Sequence, residues 1–317
     1  MNYIDNIYVI NMEESPNRLE QMNRQIPIIG KPFQIIKAIN GKKLTKEELK
    51  LYCTTFGNTF CTYGMLGCFL SHQKTWKTML KNNDKYALIM EDDCKLVKSF
   101  QKDLKLALDD LFKIDPLWDF LYVGSFGASD PDHNYNLIHS FSKIVLPNIK
   151  NAKQQPNSKY IFIPEAPIGF HCYIISNQCA KKLLYYLDKA SYHVDVKFLQ
   201  HSEKFNIYAC KKNLGYQLST PESSSLTQYD FPVTVNYFLD NIKDRHKISI
   251  SYYFCAPFLQ LFHIPLNVYI TLLILIGISF PKIIPYILSF LLIELMVQPN
   301  NFNVILFIFM LLIIFNF

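Results

Sequence analysis

Between Lys247 and Phe317 this chain carries only two formally charged side chains, Lys282 and Glu294. A stretch so apolar must be covered, either by protein or by lipid. Its first run, "FLQLFHIPLNVYITLLILIGISF" from Phe258 to Phe280, is about long enough to cross a bilayer as a helix. Pro281-Lys282 separates it from Ile283–Val297, and "PNN" (Pro299 to Asn301) precedes the last run. The two later runs fall short of the roughly 20 residues that a span needs. The reading is therefore a membrane-anchoring hydrophobic region over 252–317, with one to three spans. A buried core helix of a larger fold is the alternative. The cluster "KDRHK", Lys243 to Lys247, places the preceding domain on the cytoplasmic side under the positive-inside tendency.

The tail explains a composition that is 50% hydrophobic and only 18% charged. The net charge of +6 comes from scattered lysines, without a dense basic block or zinc-finger spacing. That argues against nucleic acid and suits an anionic membrane surface or a phosphate-bearing ligand. The eight cysteines form no C-x-x-C pair, which excludes a zinc ribbon. Free thiols in a reducing compartment are the plainer reading, and a Cys53–Cys61 bridge the alternative. The start, "MNYIDNIYVINMEESPNR", has no basic lead and a short apolar run interrupted by Asp5, unlike a signal peptide. No Asn-x-Ser/Thr sequon occurs, which fits a catalytic region that stays out of the secretory lumen.

Residues 1–245 alternate strand-like and helix-like patterns. "NIYVIN", "FQIIKA", "YALIM" and "WDFLYVGS" read as buried strands. Between them, Ser15-Pro16 opens a helix, "TKEE" (Thr45 to Glu48) is a capping box, and "GMLGCFLSHQKTWKTML" and "SFQKDLKLALDDLF" are amphipathic. Gly64 and Gly67 read as turn and close-packing positions. "YIFIP" and "HCYIIS" look like paired strands, Asn177 like the cap of the following helix, and Gly127 to Ser158 like a polar loop. This order predicts an α/β fold: a mostly parallel sheet flanked by helices, followed by the C-terminal hydrophobic region.

"YALIM" ends in three adjacent acids, Glu91-Asp92-Asp93. Ligands of open α/β sheets bind beyond the carboxyl ends of strands, where these acids stand. Their hard oxygens suit Mg²⁺ or Mn²⁺, which would relieve their repulsion and bridge them to a diphosphate. The bland alternative is a decorated turn or a helix cap.

"IYVINMEESPNRLEQM", "KAINGKKL", "YGMLGCFLSHQKTW" and "YALIMEDDCKL", then "GFHCYIISNQCAKKLL" and "YHVDV", resemble glycosyltransferase family 25 in order and spacing. That family includes bacterial lipooligosaccharide galactosyltransferases and procollagen galactosyltransferases. The resemblance runs from about Ile4 to Ser225. It implies a GT-A-like fold, a nucleotide-sugar donor that is typically UDP-linked, a divalent cation, commonly Mn²⁺, and inverting transfer. It also assigns roles. Asp92 and Asp93 would hold the metal and diphosphate, with Glu91 beside them. Arg18 would bind the nucleotide or its phosphates. His72, in "CFLSHQ", would line the donor pocket, although a lone helix histidine is more often structural. Gly169 and Tyr173 would shape the acceptor side. Asp195 would take the acceptor proton, with Glu165 as second choice. Two departures stand out: Met12 follows the strand asparagine, and Asn40-Gly41 replaces an expected Asp-Gly.

The leading reading is a membrane-anchored hexosyltransferase acting on a glycan, glycolipid or protein hydroxyl. A metal-dependent hydrolase of nucleotide-sugars or pyrophosphates would use the same acids without an acceptor. An inactive membrane adaptor would have no use for clustered acids.

Overall fold

The computed structural model describes residues 3–126, 144, 146–149, 154–218, 231–242 and 249–316. Most of the loop expected between Gly127 and Ser158, and the Lys243–Lys247 cluster, lie outside the described residues. The chain forms two compact units. One comprises Met1–Thr55 and Met65–Leu218, the other Phe56–Gly64 and Ser219–Phe317.

Among the described residues the first unit has nine strands: β1 Asn6–Asn11, β2 Gln34–Lys37, β3 Tyr86–Glu91, β4 Cys94–Leu96, β5 Phe120–Phe126, β6 Ile161–Phe162, β7 Ile168–Ser176, β8 Ile207–Cys210 and β9 Gly215–Gln217. Seven form one sheet in the order β2-β1-β3-β7-β5-β8-β6. β1 is parallel to β2 and β3, and β5 to β8, while β7 and β6 run against their neighbours. The α/β class and the mostly parallel direction expected from the sequence are thus present. The expected pairing of "YIFIP" with "HCYIIS" is not: β6 pairs with β8, and β7 is inserted between β3 and β5. An apolar run carries no information about which other run it lies beside.

β5 is buried along its whole length, as a strand covered on both faces must be. Its side chains alternate between the faces. Leu121 and Val123 join an apolar cluster with Leu104, Leu108 and Leu111 of the Phe100–Ile114 helix. Phe120 stacks on Tyr173 at 4.9 Å between ring centroids and also meets Phe170 and Phe198. In the helix, Phe100, Leu104, Ala107, Leu108 and Leu111 are the buried positions, the single apolar stripe that its sequence predicts.

Local signals behave unevenly. Thr45 and Glu48 form the full capping box. Ser15 precedes Pro16 at its helix start but makes no side-chain cap bond. Asn177 is not a cap: Ser176 accepts the Cys179 N–H, and the Asn177 amide instead donates to the Asp84 carbonyl. All eight cysteines are free, so no Cys53–Cys61 bridge forms. A side chain at Gly67 would place its Cβ 2.5 Å from the Ile39 carbonyl, so glycine there allows the Tyr63–Lys81 helix to press against the chain after β2.

In the second unit the run from Phe258 to Phe280 is not one helix. Leu259–Leu261 pairs antiparallel with Ile264–Leu266, turning at Phe262 and His263, and the helix begins only at Val268, where Asn267 caps it. Its 12 residues span about 18 Å at 1.5 Å per residue, well under a bilayer core of about 30 Å. It continues into Pro281–Val297 through a bend of 116°. Among the described residues one helix, Pro299–Asn316, is long and apolar enough to cross a membrane, or two spans if the bent pair counts as one. Ile270, Ile287, Leu291, Val304, Ile308 and Leu312 pack together within this unit. Glu294 is fully buried, and its carboxylate accepts the N–H groups of Val233 at 2.7 Å and Thr234 at 2.9 Å. These bonds satisfy the first N–H groups of the Val233–Leu239 helix.

Candidate functional site

Parallel pairing of β1 with β3 sets their carboxyl ends side by side, with Ile10 opposite Glu91. β7 runs the other way, so its first residues reach the same end: Met90 pairs with Cys172, and Phe126 of β5 with Ile168. The three acids, Arg18 and Gly169 are thereby gathered at one end of the sheet.

Each acid has its own environment. Glu91 Oε1 lies 3.1 Å from His72 Nε2. Burial pushes this carboxyl up, but the hydrogen bond and charge of His72, aided by His171 and Arg18, outweigh it and leave the value below the usual range. Asp92 is buried, and its Oδ2 accepts from Asn11 Nδ2 at 2.8 Å and, more distantly, from the Met12 N–H. Its Oδ1 accepts from Arg18 Nη1 at 2.9 Å. Burial still raises its pKa, with Arg18 and Asn11 pulling against it. Asp93 is held by Gln217 Nε2 at 2.9 Å on Oδ2, and its carbonyl accepts the Leu218 N–H at 2.8 Å. Its Oδ1 is buried and has no hydrogen-bond donor among the described residues. Burial, then the charge of Glu91, pushes Asp93 up to about 8.

A buried carboxylate oxygen without a donor is costly unless something positive meets it. In the metal-free chain a proton on Asp93 supplies that, and a divalent ion would supply it in the proton's place, so the residues present fit one. Asp92 already spends both oxygens inside the protein and would share them with Arg18 and Asn11.

Asp195 lies in the first turn of the Val194–Leu199 helix. Its Oδ2 accepts the Gly169 N–H at 2.6 Å and its Oδ1 the Val196 N–H at 2.8 Å. Gly169 has φ +91°, a left-handed conformation in which an added Cβ would meet the Phe126 ring at 2.8 Å. After burial and Glu91, the charge of Asp195 contributes to raising the Cys68 thiol, so this carboxylate stands near the acids. Glu165 is half-buried in the connection between β6 and β7, where its carbonyl accepts the Ile149 N–H.

Residues 4–198 match the model of the family described as "Glycosyltransferase family 25 (LPS biosynthesis protein)". The chain belongs to glycosyltransferase family 25. It is 28% identical over 128 residues to procollagen galactosyltransferase 2 of Homo sapiens, covering 38% of this chain and 20% of that protein. It is 31% identical over 130 residues to procollagen galactosyltransferase 1-B of Xenopus laevis, 38% of this chain and 21% of that one. A "Glycosyltransferase 25 family member" of Aedes aegypti is 28% identical over 140 residues, 42% of this chain and 23% of that protein. The matched part thus spans about a fifth of the length of each relative.

Within this family 25 domain, six of the expected site residues form linked pairs, Arg18 with Asp92, His72 with Glu91, and Gly169 with Asp195, whereas Asp93 and Glu165 lie outside these pairs. His72 also meets the Tyr173 hydroxyl at 2.8 Å through Nδ1, and Trp76 Nε1 donates to that hydroxyl at 2.9 Å. Three contributors were not expected from the sequence. Asn11 holds Asp92 from 81 residues away, Gln217 holds Asp93 from 124 residues away, and Cys68 Sγ approaches Glu91 Oε1 at 3.9 Å. For Asn11 a signal existed, since it ends a buried strand parallel to β3. Gln217 sits on a three-residue strand with no pattern that marks it.

Proposed function

We propose that this chain is a metal-dependent glycosyltransferase with a GT-A-like domain over about 1–245. It moves galactose or a related hexose from a nucleotide-sugar, UDP-linked, to a hydroxyl of a glycan, glycolipid or protein. The observation that carries the reading is the buried Oδ1 of Asp93, without a donor among the described residues, just beyond the carboxyl end of β3 in a family 25 chain. Asp93 and Asp92 would hold Mn²⁺ or Mg²⁺, which when bound neutralises the charge of the leaving diphosphate.

The protein groups then divide the work. Arg18 uses Nη1 on Asp92, leaving other guanidinium N–H groups for phosphate oxygens. Glu91, kept ionised beside His72, contributes negative charge next to the metal ligands. Asp195 accepts the acceptor proton while the hydroxyl oxygen attacks the anomeric carbon. The bond to the diphosphate breaks with its electrons on the leaving oxygen, so configuration inverts. Glu165 is the second choice for this base. Residues 252–317 anchor the enzyme to a membrane on its cytoplasmic side, where attachment concentrates a membrane-bound acceptor.

The test is binding of a panel of nucleotides and nucleotide-sugars to the full chain, with Mn²⁺ and with chelator. Metal-dependent binding of a UDP-sugar, lost in Asp93→Asn, is expected. Absence of binding to every nucleotide in both conditions overturns the reading. Release of free sugar at the same rate with and without acceptors would replace transfer by hydrolysis. Removal of residues 252–317 is expected to release the protein from vesicles, and continued tight attachment would refute the anchor.

A further inference from the structure

A second donor set lies beside the acids. Cys68 and His72 are four residues apart on the Tyr63–Lys81 helix, so one turn presents both on the same side. Glu91 Oε1 lies 3.1 Å from His72 Nε2 and 3.9 Å from Cys68 Sγ, and all three donor atoms fall within 4.8 Å of one another. Ligands bound about 2.0–2.3 Å from a tetrahedral zinc ion stand roughly 3.3–3.8 Å apart. The His72–Glu91 and Cys68–Glu91 separations already lie within a few tenths of an ångström of that range.

Both nitrogens of His72 face partners, Nε2 towards Glu91 and Nδ1 towards Tyr173. The Nδ1 of His72 faces the Tyr173 hydroxyl, which already takes the Trp76 N–H. Metal binding through Nε2 needs the ring proton on Nδ1, donated to the Tyr173 hydroxyl, which would then accept from both His72 and Trp76. His72 is buried while Cys68 and Glu91 are half-buried, which leaves an open side for entry. The donor set also differs in kind from the carboxylates of Asp92 and Asp93. Sulfur, imidazole and a single carboxylate favour zinc-class ions, whereas oxygen alone favours Mg²⁺ and Mn²⁺.

We propose that Cys68, His72 and Glu91 form a second metal site, selective for Zn²⁺ over Mg²⁺ and Mn²⁺, with its fourth position open to water. On binding, Cys68 gives its proton to solvent and ligates as thiolate, His72 ligates as neutral imidazole through Nε2, and Glu91 as carboxylate. Occupancy recruits the carboxylate that directly precedes Asp92 and Asp93. Zinc therefore acts on the same turn that the proposed transfer uses. The site itself does not rest on that transfer, because its ligands and its test involve neither nucleotide nor sugar.

The test is titration of the full chain, stripped with chelator, with Co²⁺ as the spectroscopic stand-in for zinc. One equivalent of cobalt is expected to give a thiolate-to-cobalt charge-transfer band. Zn²⁺ should abolish it, and about a hundredfold excess of Mg²⁺ should not. Cys68→Ser should remove the band, and His72→Gln should weaken cobalt binding at least tenfold. Asp93→Asn should keep the band, whatever it does to nucleotide binding. No band, a full band in Cys68→Ser, or a band lost in Asp93→Asn overturns the proposal. Should Cys68→Ser fail to fold, unchanged cobalt affinity in His72→Gln overturns it as well.

Discussion

Arg18 donates through Nη1 to Asp92 Oδ1 at 2.9 Å across 74 residues of sequence, tying the Pro16–Asn23 helix to the acids after β3. The Asp92 side chain is 6% exposed and that of Arg18 20%, so the pair is mostly shielded from water. Arg18→Ala leaves a buried carboxylate with only Asn11 and a long Met12 contact. We expect a loss of about 1–3 kcal/mol in urea unfolding, with part recovered in Arg18→Ala/Asp92→Asn. Strict additivity in that double-mutant cycle would mean that the pair contributes nothing.

Asp93 makes metal-free stability depend on pH. Its folded pKa, about 8, lies above its ordinary 3.8, so the folded state holds a proton that the unfolded state has lost. The sign follows: the contribution is fully present below about pH 4 and is lost as pH rises through about 8. The stability difference between the native protein and Asp93→Asn, measured by unfolding in chelator, should therefore shift against the native protein across that window. A difference independent of pH would contradict the placement of Asp93.

Tyr173→Phe removes the oxygen shared by Trp76 Nε1 and His72 Nδ1, both buried. The lost pairing should cost about 1–3 kcal/mol. The same variant frees the His72 ring that fixes Glu91, so donor binding should weaken too. Native stability in Tyr173→Phe, measured by thermal unfolding, would show that these hydrogen bonds are not formed in solution.

Gly169→Ala places a methyl group against Phe126 at a left-handed φ, which should cost about 1–3 kcal/mol. Because the Gly169 N–H holds Asp195, the variant should lose transfer rate by a larger factor than donor affinity. Equal losses of the two would move Asp195 out of the proton-accepting role.

Much of the sheet was legible because β1, β3 and β5 are runs of apolar residues buried on both faces, and because the Phe100–Ile114 stripe keeps helical spacing. The partners of the acids were less so. Gln217 reaches Asp93 only because β9 pairs with β4, a register set by the folded sheet and not by any local pattern. The first apolar run of the tail misled for a related reason. Hydropathy reports how much a segment avoids water, not its backbone shape, and Pro265, Asn267 and the turn at Phe262–His263 divide it into a hairpin and a short helix.

The sequence by itself determined that Glu91, Asp92 and Asp93 follow a buried strand, and that Cys68 and His72 share one helix face. Both are consequences of covalent order and of fixed strand and helix periods. Only the tertiary structure decided that these acids become three chemically different groups: one beside His72, one paired with Arg18, one buried with an oxygen that no described residue donates to. A carboxyl's chemistry is set by the charges, donors and burial around it, and here those come from segments up to 124 residues away.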